Sequence, residues 1–337
     1  MSQSFQGLRP LPDGKPWLVL ADKEFHDIAK DMIERSIPGS MEAAWVEWKV
    51  FPDGTPNIRF DANSIEGRDV IFIGSVERHL LPFMSLCYAV PRCLARTFTV
   101  VVPFYPTGTM ERVETEGEVA TAKTLARMMS ATPSPQLGET TFIFFEMHAL
   151  ATRFYFSDNI KVQLHTAVPL FLRHLDKLTK REGAKPMIAF PDEGAKKRFG
   201  RFFRDKFEIC LCIKTRIGDK RELVLQEGAP AGQHVFIVDD LVQSGGTLVA
   251  ARDLLYAKGA SKVSAYVTHG VFPRESWKRF LVENTPKGLK PFESFIMTDS
   301  IPHSARAVEG KRPFKVLSLA DRLMQLMAPT GVLPAKM

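Results

Sequence analysis

The most informative segment of the 337-residue chain runs from His234 through Thr247 and reads HVFIVDDLVQSGGT. An apolar run ends in two adjacent carboxylates, Asp239 and Asp240. It then passes through Gln243, Ser244, Gly245, Gly246 and Thr247 into an apolar-periodic stretch. Small residues at the start of a helix let backbone N–H groups converge on an anion, and the helix N-terminus adds its dipole. Two carboxylates at a strand end can accept hydrogen bonds from vicinal hydroxyls. The combination suits a sugar phosphate, with ribose hydroxyls on the aspartates and a 5-phosphate in the loop. The bland alternative is a tight turn with a Ser/Thr cap and acids idle at the sheet edge. The spacing is not a Walker A loop, which needs G-x4-G-K-[ST].

Other residues of the right type stand at strand ends. Lys214-Thr-Arg216 opens a polar stretch after the apolar run Ile209–Ile213. Lysine offers a compact charge and arginine a planar fork that matches phosphate oxygens, although two cations there also read as a solvated turn. Lys220 and Arg221 lead into the next strand. His148 follows the expected strand Thr141–Phe145, and Asp192 follows Met187–Phe190. Both therefore fall at carboxyl ends, where α/β sheets place ligands. Phe51-Pro-Asp53-Gly-Thr55 reads as a hairpin turn.

The elements that must position these residues alternate short β-branched runs with amphipathic stretches, the pattern of an α/β fold with mostly parallel strands. Expected strands include Trp17–Ala21, Val70–Gly74, Thr97–Val102, Val235–Val238 and Val263–Thr268. Expected helices include Lys23–Arg35, His165–Leu178, Ala195–Phe203, Thr247–Lys258 and Ala320–Met327. The halves look like copies. Pro16-WLVLAD matches Pro186-MIAFPD 170 residues later, and Val70-IFIG matches Val235-FIVD 165 residues later. Near-equal offsets point to duplication of one α/β unit, with the boundary near Ile160–His165.

Composition excludes several classes. The chain is 45% hydrophobic and 25% charged, which rules out disordered, collagenous and disulfide-scaffold readings. A net charge of +7 over this length is mild, and no nucleic-acid motif or concentrated basic stripe accompanies it. Cys87, Cys93, Cys210 and Cys212 fall in C-x5-C and C-x-C pairs, neither a zinc spacing, so free thiols are expected. The start lacks the apolar core of a signal peptide, and Leu80–Phe104 is interrupted by Pro91, Arg92 and Arg96, so no membrane span is expected.

The loop at Asp239–Thr247 resembles the sugar-phosphate loop of the phosphoribosyltransferase fold. More narrowly, the chain resembles the ribose-phosphate diphosphokinase family, in particular its plant-type second class. The narrower resemblance rests on Phe51-Pro-Asp-Gly54, Glu146-Met-His-Ala149, Phe190-Pro-Asp-Glu-Gly194, Lys214-Thr-Arg216, Val238-Asp-Asp-Leu241 with Gln243–Thr247, and Ala265-Tyr-Val-Thr-His-Gly-Val271. It implies an α/β fold of two tandem phosphoribosyltransferase-like domains, each a mostly parallel sheet flanked by helices. Ser75-Val-Glu-Arg78 stands where Asp240 onward stands in the second copy, so the first has lost its loop. The expected divisions are an N-terminal extension (1–15), a first domain (16–164) joined by a C-terminal helix (314–328), a second domain (165–313) carrying the loop, and a flexible tail (329–337).

The implied activity is Mg²⁺-dependent transfer of the diphosphoryl group of ATP to ribose 5-phosphate. The resemblance makes Lys214 and Arg216 catalytic, on a mobile loop. Asp239, Asp240, Gln243, Ser244, Gly245, Gly246 and Thr247 bind ribose 5-phosphate. Phe51, Asp53, Thr55, Thr109 and Met110 bind ATP, and His148 and Asp192 attend the metal. Thr109 and Met110 depart from the Arg and Gln of the commoner class, Glu146 from its Asp, and Gln243 from the family's usual Asp. A homo-oligomer with the ATP site near a subunit interface is implied, with no nucleic-acid or membrane partner. The rival readings are a non-catalytic regulatory homologue and an ordinary phosphoribosyltransferase, the latter being only about one such domain. A cytoplasmic location is expected. Ala335-Lys336-Met337 resembles an S-K-L-type address, which gives a peroxisome- or glycosome-type organelle as the alternative.

Overall fold

The computed structural model describes residues 14–106, 110–217 and 220–327, which divide into two units. The expected extension and tail fall almost wholly outside the described residues, as do Thr107–Thr109. The first unit carries β1 (Trp17–Ala21), α1 (His26–Arg35), β2 (Met41–Ala43), β3 (Val46–Val50), β4 (Pro56–Phe60), β5 (Asp69–Ile73), α2 (Leu80–Arg92), β6 (Thr97–Val102), α3 (Thr121–Ser130), β7 (Thr140–Phe145) and β8 (Ile160–His165). Six of its strands form a sheet in the order β2-β1-β5-β6-β7-β8, and every pair is parallel. β3 and β4 form a separate antiparallel ribbon. All five residues of β5 are buried, as befits a strand covered on both faces, where apolar runs replace alternation.

The second unit carries α4 (Val168–Glu182), β9 (Met187–Phe190), α5 (Glu193–Phe203), β10 (Ile209–Ile217), β11 (Lys220–Glu227), β12 (His234–Val242), α6 (Gly246–Ala257), β13 (Lys262–Gly270), β14 (Phe295–Thr298), α7 (Pro302–Val308) and β15 (Phe314–Leu317). Its sheet runs β11-β10-β9-β12-β13-β14-β15, parallel except for the β10–β11 hairpin. The chain leaves β9 toward β10 on one side and β12 toward β13 on the other. The strand order therefore reverses between β9 and β12, the crevice where open α/β sheets receive ligands.

The two sheets share that plan. β1 and β5 of the first unit flank the same reversal, at the positions the sequence offsets pair with β9 and β12. Asp22, which follows β1, matches Asp192, and Gly74 matches Asp239. Asp22 is buried and accepts a hydrogen bond from the Glu24 N–H. His79 Nδ1 lies 2.9 Å from its second oxygen. A Cβ on Gly74 would come within 2.7 Å of the rings of Phe72 and Phe83.

Several boundaries differ from the sequence expectation. Ile160–His165, expected as the junction, is the edge strand β8, and the units divide between Thr166 and Ala167. The stretch 314–328, expected as one helix, is split. Phe314–Leu317 is a strand of the second sheet, and only α8 (Ala320–Met327) returns to the first unit. There α8 packs on α1, with Arg35 ion-paired to Asp321. Lys214-Thr-Arg216, expected in a loop, lies within β10, because Thr215 and Arg216 pair with Glu222 and Arg221 of β11. All four cysteines are free. No helix among the described residues is long and apolar enough to cross a membrane.

Candidate active site

β12 is held on both sides, by β9 and β13, and Val235 through Val238 are buried. This fixes where Asp239 and Asp240 emerge at its carboxyl end. The two acids are not equivalent. Asp240 is 4% exposed, and its carboxylate takes an ion pair from Arg198 of α5 at 2.9 Å and a hydrogen bond from the Leu241 N–H at 2.8 Å. Asp239 is partly buried and accepts from the Asp240 N–H at 2.9 Å. Burial, then the neighbouring Asp240 charge, pushes the Asp239 carboxyl well above the ordinary aspartate range. Arg198 had no signal in the sequence, since nothing in its spacing ties it to a residue 42 positions away.

The chain then turns through exposed Gln243 and Ser244 to Gly245, which has φ +77° and starts α6. This left-handed conformation favours glycine. A Cβ there would also fall 2.1 Å from the Phe280 ring. Gly246 differs, because a Cβ on it would meet nothing within 4 Å. Its glycine answers no packing demand of the chain, and it borders open space at the N-terminus of a twelve-residue helix.

Lys214 is exposed, and its Nζ donates to Thr247 Oγ1 at 3.3 Å. The hairpin thus delivers an ammonium group to the loop that ends β12. The backbone of Arg216 continues β10 opposite Arg221. Asp192 caps α5, its Oδ1 accepting from the Ala195 N–H at 2.8 Å. It stands at the end of β9, on the same reversal as Asp239. Its charge contributes to raising the Asp239 carboxyl.

The remaining expected residues belong to the first unit. His148 is exposed beyond β7, after Glu146, a buried residue with φ +33°. Phe51–Thr55 is the hairpin turn between β3 and β4. The Phe51 N–H bonds to the Thr55 carbonyl at 2.8 Å, and Asp53 accepts from the Thr55 N–H at 2.9 Å, which holds its carboxyl below the usual value. Phe51 is 49% exposed. Met110 is partly buried, and Thr109 lies outside the described residues. Among the described residues no three His, Cys, Asp or Glu side chains converge as a metal cage.

Two sequence families match this chain: the N-terminal domain of ribose phosphate pyrophosphokinase over residues 19–132, and the phosphoribosyl transferase domain over residues 213–292. Ribose-phosphate pyrophosphokinase 4 of Arabidopsis thaliana is 44% identical over 304 residues, 89% of this chain and 88% of that protein. The chain belongs to the ribose-phosphate pyrophosphokinase family. Ribose-phosphate pyrophosphokinase 3, chloroplastic, of the same plant is 44% identical over 305 residues, 89% of this chain and 74% of that protein. The phosphoribosylpyrophosphate synthetase structure of Mycobacterium smegmatis aligns with a TM-score of 0.74 over 93% of this chain and 98% of that one. At 22% identity it shares the two-domain fold. Within this chain the phosphoribosyl transferase match contains both Lys214 and the whole Asp239–Thr247 loop.

Proposed function

We propose that this chain transfers the diphosphoryl group of ATP to O1 of ribose 5-phosphate, giving 5-phosphoribosyl 1-diphosphate and AMP. The observation that carries the assignment of residues is Lys214 held against Thr247, an ammonium group at the edge of a loop suited to a sugar phosphate. Asp239 and Asp240 accept the ribose hydroxyls. Gln243, Ser244, Gly245, Gly246 and Thr247 surround the 5-phosphate, which enters the open side of Gly246. The 1-hydroxyl attacks the β-phosphorus in line. The O1–Pβ bond forms as the bond between Pβ and the oxygen bridging it to the α-phosphorus breaks, and the hydroxyl proton is released to solvent. Lys214 and Arg216 stabilise charge on the transferring group, which is what such chemistry asks of a protein.

Mg²⁺ fits the donors available. It takes one or two carboxylates and otherwise keeps water and substrate phosphate oxygens, so it needs no all-protein cage. Asp192, at the end of β9, would hold it through oxygen, and when bound it neutralises phosphate charge. For the nucleotide, Phe51, Asp53 and Thr55 would receive the base and Thr109 and Met110 the remainder. The exposed apolar residues Trp45, Val50 and Phe51 of this ribbon support completion of that site by a second copy in a homo-oligomer. A cytoplasmic location is the first reading, and Ala335-Lys336-Met337 taken as an organelle address is its alternative. A fluorescent protein ending in the tripeptide should collect in peroxisome-type organelles, and diffuse signal removes that claim.

The direct test incubates purified protein with ATP, ribose 5-phosphate and Mg²⁺. AMP and 5-phosphoribosyl 1-diphosphate should form in equal amounts. AMP without the sugar diphosphate, or no turnover, rejects the reading.

A further inference from the structure

Alongside the sugar-phosphate loop runs a segment, residues 272–281, that none of the motifs above includes. The Val271 N–H donates to the Val242 carbonyl at 3.0 Å, which keeps the two stretches side by side beyond the sheet. Three non-glycine residues of the segment have left-handed backbone: Phe272 (φ +46°), Arg274 (φ +52°) and Glu275 (φ +56°). Such conformations persist only where the surroundings over-determine them. Here Trp277 and Phe280 are buried. Phe280 packs against Phe272, Phe295 and Phe314, while Lys278 and Lys311 lie over the Trp277 ring.

From this anchored segment three side chains reach three consecutive loop residues. Ser276 Oγ donates to the Gln243 carbonyl at 2.7 Å. Arg279 Nη1 donates to the Ser244 carbonyl. The Phe280 ring fills the space that a side chain on Gly245 would need. In a trans peptide the carbonyl of one residue and the N–H of the next point in opposite directions. Carbonyls 243 and 244 bound on the Ser276 and Arg279 side thus turn the Ser244 and Gly245 N–H groups away from the brace.

We propose that Ser276, Arg279 and Phe280 are positioning residues that aim the Ser244 and Gly245 N–H groups at the 5-phosphate of the sugar substrate. This rests on the sugar-phosphate assignment made above. The brace touches the loop on its rear, so it acts on sugar-phosphate affinity and not on the nucleotide.

Calorimetric titration of ribose 5-phosphate into the full-length protein tests it. Ser276→Ala and Arg279→Met should each weaken binding by about 3- to 10-fold, the size of one lost hydrogen bond. KM for ribose 5-phosphate should rise in parallel while KM for ATP stays within about twofold on the same scale of effects. Arg279→Lys, which keeps a donor, should recover part of the loss. Lys287→Met, an exposed charge elsewhere in the unit, should bind like the parent. Asp239→Ala separates the two layers of inference. If it leaves affinity for ribose 5-phosphate unchanged, the sugar-phosphate assignment itself fails. If it weakens binding while folded Ser276→Ala and Arg279→Met bind normally, the brace alone is rejected. Equal rises in both KM values also reject it. Both polar side chains lie at the surface, and Ser276→Ala with Arg279→Lys carries the test should Arg279→Met not fold.

Discussion

Lys214 Nζ lies 3.3 Å from Thr247 Oγ1, so the antiparallel hairpin at one edge of the second sheet reaches across to the loop at its centre. On the function proposed above, a lysine at this position is placed to act on the phosphates of the substrates. Because Lys214 is exposed, its removal leaves the core untouched.

Lys214→Ala and Arg216→Ala should each lower kcat by at least about 10²-fold, since a cation on a transferring phosphoryl group is worth about 10³–10⁵ in rate. Steady-state kinetics should show a much smaller change in ribose 5-phosphate affinity. Lys220→Ala is the comparison, and equal damage there would reduce the hairpin to a diffuse positive patch.

Arg198→Met should be a stability variant. It leaves the Asp240 carboxylate buried without its arginine, a change that costs about 3–5 kcal/mol in comparable buried pairs. Thermal unfolding should show a clear drop, and Arg198→Met combined with Asp240→Leu should recover part of it. An unchanged melting temperature would show that the pair contributes nothing.

Asp239 predicts a trade between stability and binding. Its carboxyl titrates higher in the folded chain than in the unfolded one. Ionising it therefore opposes folding, and the loss grows as pH rises from the unfolded value, near 4, through the folded one. Asp239→Asn should melt above the parent at pH 7, with the gap closing toward pH 4, and should bind ribose 5-phosphate less well. A gap that widens on acidification contradicts the cause given.

His174 acts in the opposite direction on the acid side. Burial, then the charges of Lys315, Arg181 and Lys177, pulls its pKa down to about 4. The unfolded chain binds that proton first, so His174 removes stability as pH falls from about 6.5 to about 4. His174→Gln should flatten this part of the melting-temperature profile, and an unchanged profile would contradict it.

Much of this was legible in the residues themselves. The DD-x-x-QSGGT spacing located the loop, and the repeated apolar runs located the central strands of both sheets. Edge strands were harder. β8 carries Lys161 and Gln163 among its apolar residues and reads like the approach to a helix, because a strand covered on one side lacks the continuous apolar run of β5. The next strand after Lys220 was expected, but the extension of β10 through Lys214–Ile217 was not, because Lys214, Thr215 and Arg216 are polar and their extended state comes from cross-strand partners rather than local preference. Arg198 and the 272–281 brace were invisible for a third reason. They act through contacts across dozens of residues, and no local spacing encodes such contacts.

Where the second unit has Asp239, the first has Gly74, and the space beside it is filled by Phe72 and Phe83. Asp22, the match of Asp192, is tied to His79. A side chain at position 74 would require both rings to shift. The end of β5 is thus closed to the acid that ends β12, and the sugar-phosphate reading applies to the second unit alone. Equilibrium binding should count one ribose 5-phosphate per chain, not two.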